Sequence, residues 1–140
     1  MEHVIDWLKL WEEIVTVKMG MGNQDDESLV EAYWKKKAAR FKKKADSSRS
    51  DPGSSRQLIA SGLEAHPDST LLDIGAGSGD WCEFLAPYAK KITALEPSDT
   101  MVGLITQRIQ SGKFENIDIV KGKWPIIDIE PHDFTLASHS

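Results

Sequence analysis

The chain of 140 residues is long enough for one domain with a buried core, and its 40% hydrophobic and 28% charged residues are those of an ordinary soluble globule, not of a fibre or a disordered chain. A single cysteine, Cys82, excludes an internal disulfide, and no apolar run approaches the ~18 residues of a membrane span. The net charge of −5 speaks against a general attraction to nucleic acid, and Glu2 and Asp6 stand where a secretory signal is basic, so a cytoplasmic location is expected.

Val4, Trp7, Leu8, Trp11, Ile14 and Val15 fall on one face of a helix over residues 4 to 17, with Lys9, Glu12 and Glu13 on the other; this apolar face is expected to cover a flank of the main domain. After a glycine-containing loop from Met19 to Asp26, Asp26 or Ser28 caps a second helix to about residue 45, with Val30, Tyr33 or Trp34, and Phe41 as its inner stripe. Lys35, Lys36, Lys37, Arg40, Lys42, Lys43 and Lys44 crowd its second half. On an acidic chain that run reads as a solvated helix face helped by the helix dipole, in preference to a nucleic-acid footprint. Asp46 to Ser55, with Pro52 and Gly53, reads as a hinge between an N-terminal helical cap (1–50) and a sheet domain (51–140). Ser54 or Ser55 caps the next helix, which turns Leu58, Ile59 and Leu63 inward and stops at His66-Pro67.

Residues 71 to 82, Leu-Leu-Asp-Ile-Gly-Ala-Gly-Ser-Gly-Asp-Trp-Cys, read as a buried strand, a glycine loop and the start of a helix. Three alternate glycines supply backbone that tolerates positive φ and close approach of a ligand. A phosphate-gripping loop would need a lysine and a Ser or Thr after Gly79, where Asp80 and Trp81 stand. A dinucleotide fingerprint would need G-x-G-x-x-G, and Asp80 would repel a pyrophosphate. The loop therefore suits a zwitterionic or cationic ligand carrying a ribose. The helix after it runs to about Lys90, burying Trp81, Phe84 and Leu85, with Pro87 kinking or ending it; Cys82 reads as buried.

Lys91 to Glu96 read as the next strand, and an acid at its end, ~20 residues past a glycine loop, is placed to accept hydrogen bonds from ribose hydroxyls. Ser98 or Asp99 then caps a helix carrying Met101, Leu104, Ile105 and Ile109 and stopped by Ser111-Gly112. Ile117, Ile119 and Val120 make a third strand; Phe134, Leu136 and Ala137 a fourth. Strands alternating with helices predict an α/β fold with a parallel sheet whose ligands lie at the strands' carboxyl ends. His3, His66 and His132 read as surface or turn residues, and no spacing suggests a metal.

LLDIGAGSGDW followed by ITALEPSDTM resembles the first two motifs of the class I S-adenosylmethionine-dependent methyltransferases, a resemblance covering about residues 55 to 140. It implies a Rossmann-like three-layer sandwich with strand order 3-2-1-4 and S-adenosyl-L-methionine as cofactor. Asp73 and the backbone of Gly75, Ala76, Gly77, Ser78 and Gly79 would surround the methionine moiety, and Glu96 the ribose. Pro97, Ser98 and Met101 would lie against adenine or ribose. Where many relatives carry an acid after the third strand this chain has Lys123 and Trp124, so Trp124 becomes the residue bordering the base. Asp133 to His139 resemble the fourth-strand motif facing the methyl, which makes Ser138 and His139 candidates for substrate contact and His139 a candidate base. The N-terminal helix, with Tyr33, Trp34 and Phe41, would close over the cofactor.

The family usually has seven strands, so the sequence is expected to form an incomplete sheet of about four, with the fourth as a bare edge that a second copy covers as a homodimer. A small-molecule acceptor is expected, nucleic acid and membrane are not. The alternatives are a non-catalytic or partial cofactor-binding module completed by a partner copy, and a dinucleotide oxidoreductase, which Asp80 disfavours.

Overall fold

Four short apolar runs become four strands of one parallel sheet: β1 (Thr70–Ile74), β2 (Lys91–Glu96), β3 (Ile117–Lys121) and β4 (Phe134–Ala137), in the order β3-β2-β1-β4. The computed structural model describes residues 6, 9–10, 13–14, 27–47, 53–125 and 127–138. Its helices are α1 (Glu27–Ser47), α2 (Gly53–Glu64), α3 (Asp80–Leu85) and α4 (Asp99–Gly112), with a 3-10 turn at Ala86–Tyr88. From β1 the chain steps outward to β2 and β3, then crosses back to lay β4 on the other side of β1. The carboxyl end of β1 is thus the switch point where such sheets open a crevice.

Burial follows sheet position. Every residue of central β2 from Ile92 to Glu96 is buried, as a strand covered on both faces requires, whereas β4 leaves Phe134, Thr135 and Ala137 exposed. The core joins Leu71 of β1, Ile92 and Ala94 of β2 and Ile117 of β3 to Leu63, Leu85 and Ile105 from the helices.

The inner seam of α2 differs from the expected one. Leu58 is 75% exposed, and the buried residues are Arg56, Ala60 and Leu63, with Ile59 beside them. Arg56 takes the inward position because its guanidinium lies over Trp81 and Phe84, 4.8 and 5.5 Å from their ring centroids, and pairs with Asp80. Pro87 acts as expected but earlier: the α-helix ends at Leu85 instead of continuing towards Lys90, and the prolyl residue sits inside the 3-10 turn. α4 is capped by the Ser98 hydroxyl, which accepts from the Met101 N–H at 3.3 Å. Its left-handed terminal residue is Lys113 (φ 52°) and not Gly112, whose missing side chain makes room for Phe114.

Of the first apolar face, Ile14 is 51% exposed and so does not cover a flank; Val4, Trp7, Leu8, Trp11 and Val15 lie outside the described residues. Of the hinge expected over Asp46 to Ser55, Asp46 and Ser47 end α1 and Gly53 to Ser55 begin α2, while residues 48–52 lie outside the described residues. Among the described residues no helix is long and apolar enough to cross a membrane.

Candidate functional site

The strands themselves bring the two acids together. Asp73 pairs with Ala94 across β1 and β2, and side chains on a strand alternate, so Glu96, two residues beyond Ala94, projects from the same face as Asp73. At 3.3 Å per residue Glu96 stands about 7 Å further towards the carboxyl end, near enough for its charge to add to the rise that burial imposes on the Asp73 pKa.

The glycine loop leaves β1 between them. The Gly75 and Ala76 N–H groups both donate to the Leu95 carbonyl, at 2.9 and 3.0 Å, which ties the loop's first half to β2. Gly77 then donates its N–H to Glu96 Oε2 at 2.8 Å, and Ser98 donates its N–H to Glu96 Oε1 at 2.9 Å. Gly77 and Gly79 hold φ of 58° and 81°, conformations that a side chain disfavours. An added Cβ at Gly77 would meet only the Gly75 carbonyl oxygen, at 4.0 Å, so the surface there is open, whereas at Gly79 it would press on Ile105 at 3.1 Å. Gly77 therefore faces the crevice and Gly79 packs against α4.

Both acids are costly to ionise in this setting. Burial lifts the Asp73 carboxyl to a pKa of about 7; the Cys82 thiol, donating to Asp73 Oδ2 at 3.2 Å, opposes the rise and Glu96 adds to it. Burial likewise pushes the Cys82 thiol well up, so it is a buried donor and no nucleophile. Glu96 is raised by burial, against the two N–H donors, with a further push from the charge of Glu31. Each Glu96 oxygen accepts one backbone N–H and keeps a second lone pair for a hydroxyl.

Glu31 is a site residue that sequence reasoning missed. It reaches from α1 to the start of α4, accepting from Ser98 Oγ at 3.0 Å, from the Thr100 N–H at 2.9 Å and from the Thr100 hydroxyl. Burial pushes its carboxyl up, but these donors outweigh that and hold it below the usual range. It satisfies an orphan N–H at a helix start, from 69 residues away in sequence. Nothing in the spacing of a lone glutamate on a lysine-rich helix signals this. Glu31→Ala is expected to free α1 from α4: limited trypsin digestion should cut at Lys35 to Lys44 several times faster, with a loss of about 1–2 kcal/mol in denaturant unfolding.

The remaining expected residues divide. Ala76 and Ser78 are buried, and Ser78 presents its carbonyl to Arg108 Nε at 2.7 Å behind the loop. Pro97 is exposed beside Glu96, and Met101 is 1% exposed, one turn into α4. Ser138 follows Ala137, which pairs with Ile74, and so stands level with Gly75. Trp124 is 52% exposed, three residues past β3. His139 lies outside the described residues. Asp80 turns to Arg56, so its charge is neutralised locally and does not bear on a ligand as the sequence suggested.

The arrangement fits a ligand bearing a cationic amino group and a ribose diol, and comparison with known proteins agrees. A family model described as "Methyltransferase domain" matches residues 71–139. The chain is 36% identical over 80 residues to a protein of Methanosarcina acetivorans named "Probable ribosomal RNA small subunit methyltransferase A", an alignment covering 57% of this chain and 29% of that protein. The protein of that name from Methanosphaera stadtmanae is 30% identical over 81 residues, 58% of this chain and 30% of its own. The chain thus spans less than a third of the length of these curated relatives. Among solved structures, a dimethyladenosine transferase from Plasmodium falciparum superposes with TM-score 0.54 at 20% identity, over 60% of this chain and 30% of that one. Precorrin-6y C5,15-methyltransferase from Geobacter metallireducens superposes with TM-score 0.53 at 24% identity, over 59% and 46%.

The relatives' names overturn one expectation, that nucleic acid is an unlikely partner. The overall charge of −5 was a poor guide because it averages over a chain in which α1 alone carries seven of the 17 Lys and Arg. With the motif, the strand order and the family match in agreement, residues 71–139 are methyltransferase-domain sequence of the class I S-adenosylmethionine-dependent kind.

Proposed function

We propose that the crevice over β1 and β2 binds S-adenosyl-L-methionine and that the protein transfers its methyl group to RNA. The observation that carries the cofactor reading is the convergence of Asp73 and Glu96 on a glycine loop open at Gly77. Asp73, raised to about 7, gains a countercharge from an ammonium group; the Glu96 lone pairs accept the ribose hydroxyls; the backbone of Gly75 to Gly79 lies against the amino-acid tail. Pro97 and Met101 border the nucleoside, Trp124 the base edge, and Ser138 the acceptor side.

Methyl transfer from a sulfonium is an in-line displacement, so these residues act by holding donor and acceptor at attack distance. RNA as acceptor class is supported by the names of the curated relatives. Titration calorimetry with S-adenosylhomocysteine should give micromolar binding, and NAD none; equal binding of both, or of neither, would overturn the cofactor assignment. Tritium from a methyl-labelled donor should enter small-subunit ribosomal RNA, and label appearing in small metabolites but not in RNA would overturn the acceptor.

A further inference from the structure

Three of the seven cations of α1 share one exposed face. Over Glu27–Ser47 there are seven Lys and Arg against three carboxylates, a net +4 on one helix in a chain of −5. At 3.6 residues per turn Glu31, Trp34 and Ala38 share one side, half-buried, and Glu31 fastens that side to α4 beside Glu96. Lys36, Arg40 and Lys43 share the opposite side, and all three are exposed. Measured along the helix they stand about 8, 14 and 18 Å from Glu31. Three exposed cations in one row, on a helix fixed by its other side to the rim of the cofactor crevice, are more than a solvated face needs.

We propose that the Lys36, Arg40 and Lys43 face of α1 grips the phosphate backbone of single-stranded RNA and lays it beside the crevice. This rests on the RNA reading above and adds the surface that meets the acceptor. Lysine and arginine at this spacing position a strand by its phosphates and carry no base readout, so the grip is sequence-tolerant. A lipid surface is the other polyanion such a helix could meet. An interfacial helix, however, must offer an apolar face to the bilayer, and the side of α1 opposite its cations is committed to α4.

The test is fluorescence anisotropy with a labelled single-stranded RNA, from 50 to 200 mM salt, on the wild-type chain and on K36E/R40E/K43E. The wild type should bind with a steep salt dependence. The variant should bind at least about tenfold more weakly at low salt, with its log–log slope reduced by about 2, from ~0.7 per phosphate contact. S-adenosylhomocysteine binding, measured alongside, should be unchanged and shows that the variant is folded. RNA binding within twofold of wild type with the same slope overturns the proposal, as does wild-type binding to phosphatidylserine vesicles in preference to RNA. Helix-dependent RNA binding without S-adenosylhomocysteine binding would sink the cofactor reading and leave this surface standing; the reverse outcome sinks only the surface.

Discussion

Glu96→Ala is expected to weaken S-adenosylhomocysteine binding by about 100-fold or more, read by titration calorimetry below the melting temperature of the variant. Two charge-assisted bonds hold the loop and the helix start, Gly77 N–H to Oε2 and Ser98 N–H to Oε1, and when the carboxylate goes the buried Ser98 donor and the half-buried Gly77 donor both lose their partner. Bonds of this kind are worth ~1.5–3 kcal/mol each, and ~3 kcal/mol corresponds to about 100-fold in affinity. The ribose loses its acceptors at the same time. Glu96→Gln should lose nearly as much, since its amide NH2 must face one of the two N–H donors and accepts nothing. Binding within threefold of wild type in either variant would remove Glu96 from the site.

The second large effect is a dependence on pH set by Asp73. Its folded pKa, about 7, lies above the ordinary 3.8, so between those values the folded chain holds a proton that the unfolded chain has lost. Stability from this group is therefore greatest below pH ~4 and declines as pH rises to about 7, by something on the order of 4 kcal/mol. Asp73→Asn removes the ionisable group while keeping its shape. Denaturant unfolding should show the variant more stable than wild type at pH 8 and the difference vanishing towards pH 4. Cofactor binding should run the other way: an ammonium group favours ionised Asp73, so wild-type affinity for S-adenosylhomocysteine rises from pH 5.5 to 7.5, and in Asp73→Asn it is weaker and flat. Parallel stability profiles for the two proteins would show that Asp73 titrates normally.

The site was legible in the sequence where chemistry is local. Asp73 to Gly79 and Glu96 sit on one strand–loop–helix unit and the strand beside it, and alternation along a strand is enough to align them. The cap at Ser98, one of two candidates, was legible for the same reason, whereas the strand order came from the family resemblance. Arg56, Arg108 and Glu31 were not, because each acts through a partner 24 or more residues away and a charged residue on a helix reads as solvent-facing. Leu58 failed in the same way from the other side: its apolar character suggested the core, but Arg56 holds the seam it would have filled. The cationic character of α1, on which the RNA proposal draws, was discounted because charge was weighed as one sum for the chain instead of helix by helix.

The helix that opens at Gly79 is only six residues long, well short of the ~12 that a peptide helix needs to persist in water. Two guanidinium groups bracket it, Arg56 from α2 on Asp80 and Arg108 from α4 on Glu83 and the Ser78 carbonyl. The turn above β1 is thereby rigid before any ligand arrives. Its ordering is completed during folding, so the proposed ligand would meet carboxylate acceptors already aimed, as a key meets a lock whose tumblers are set.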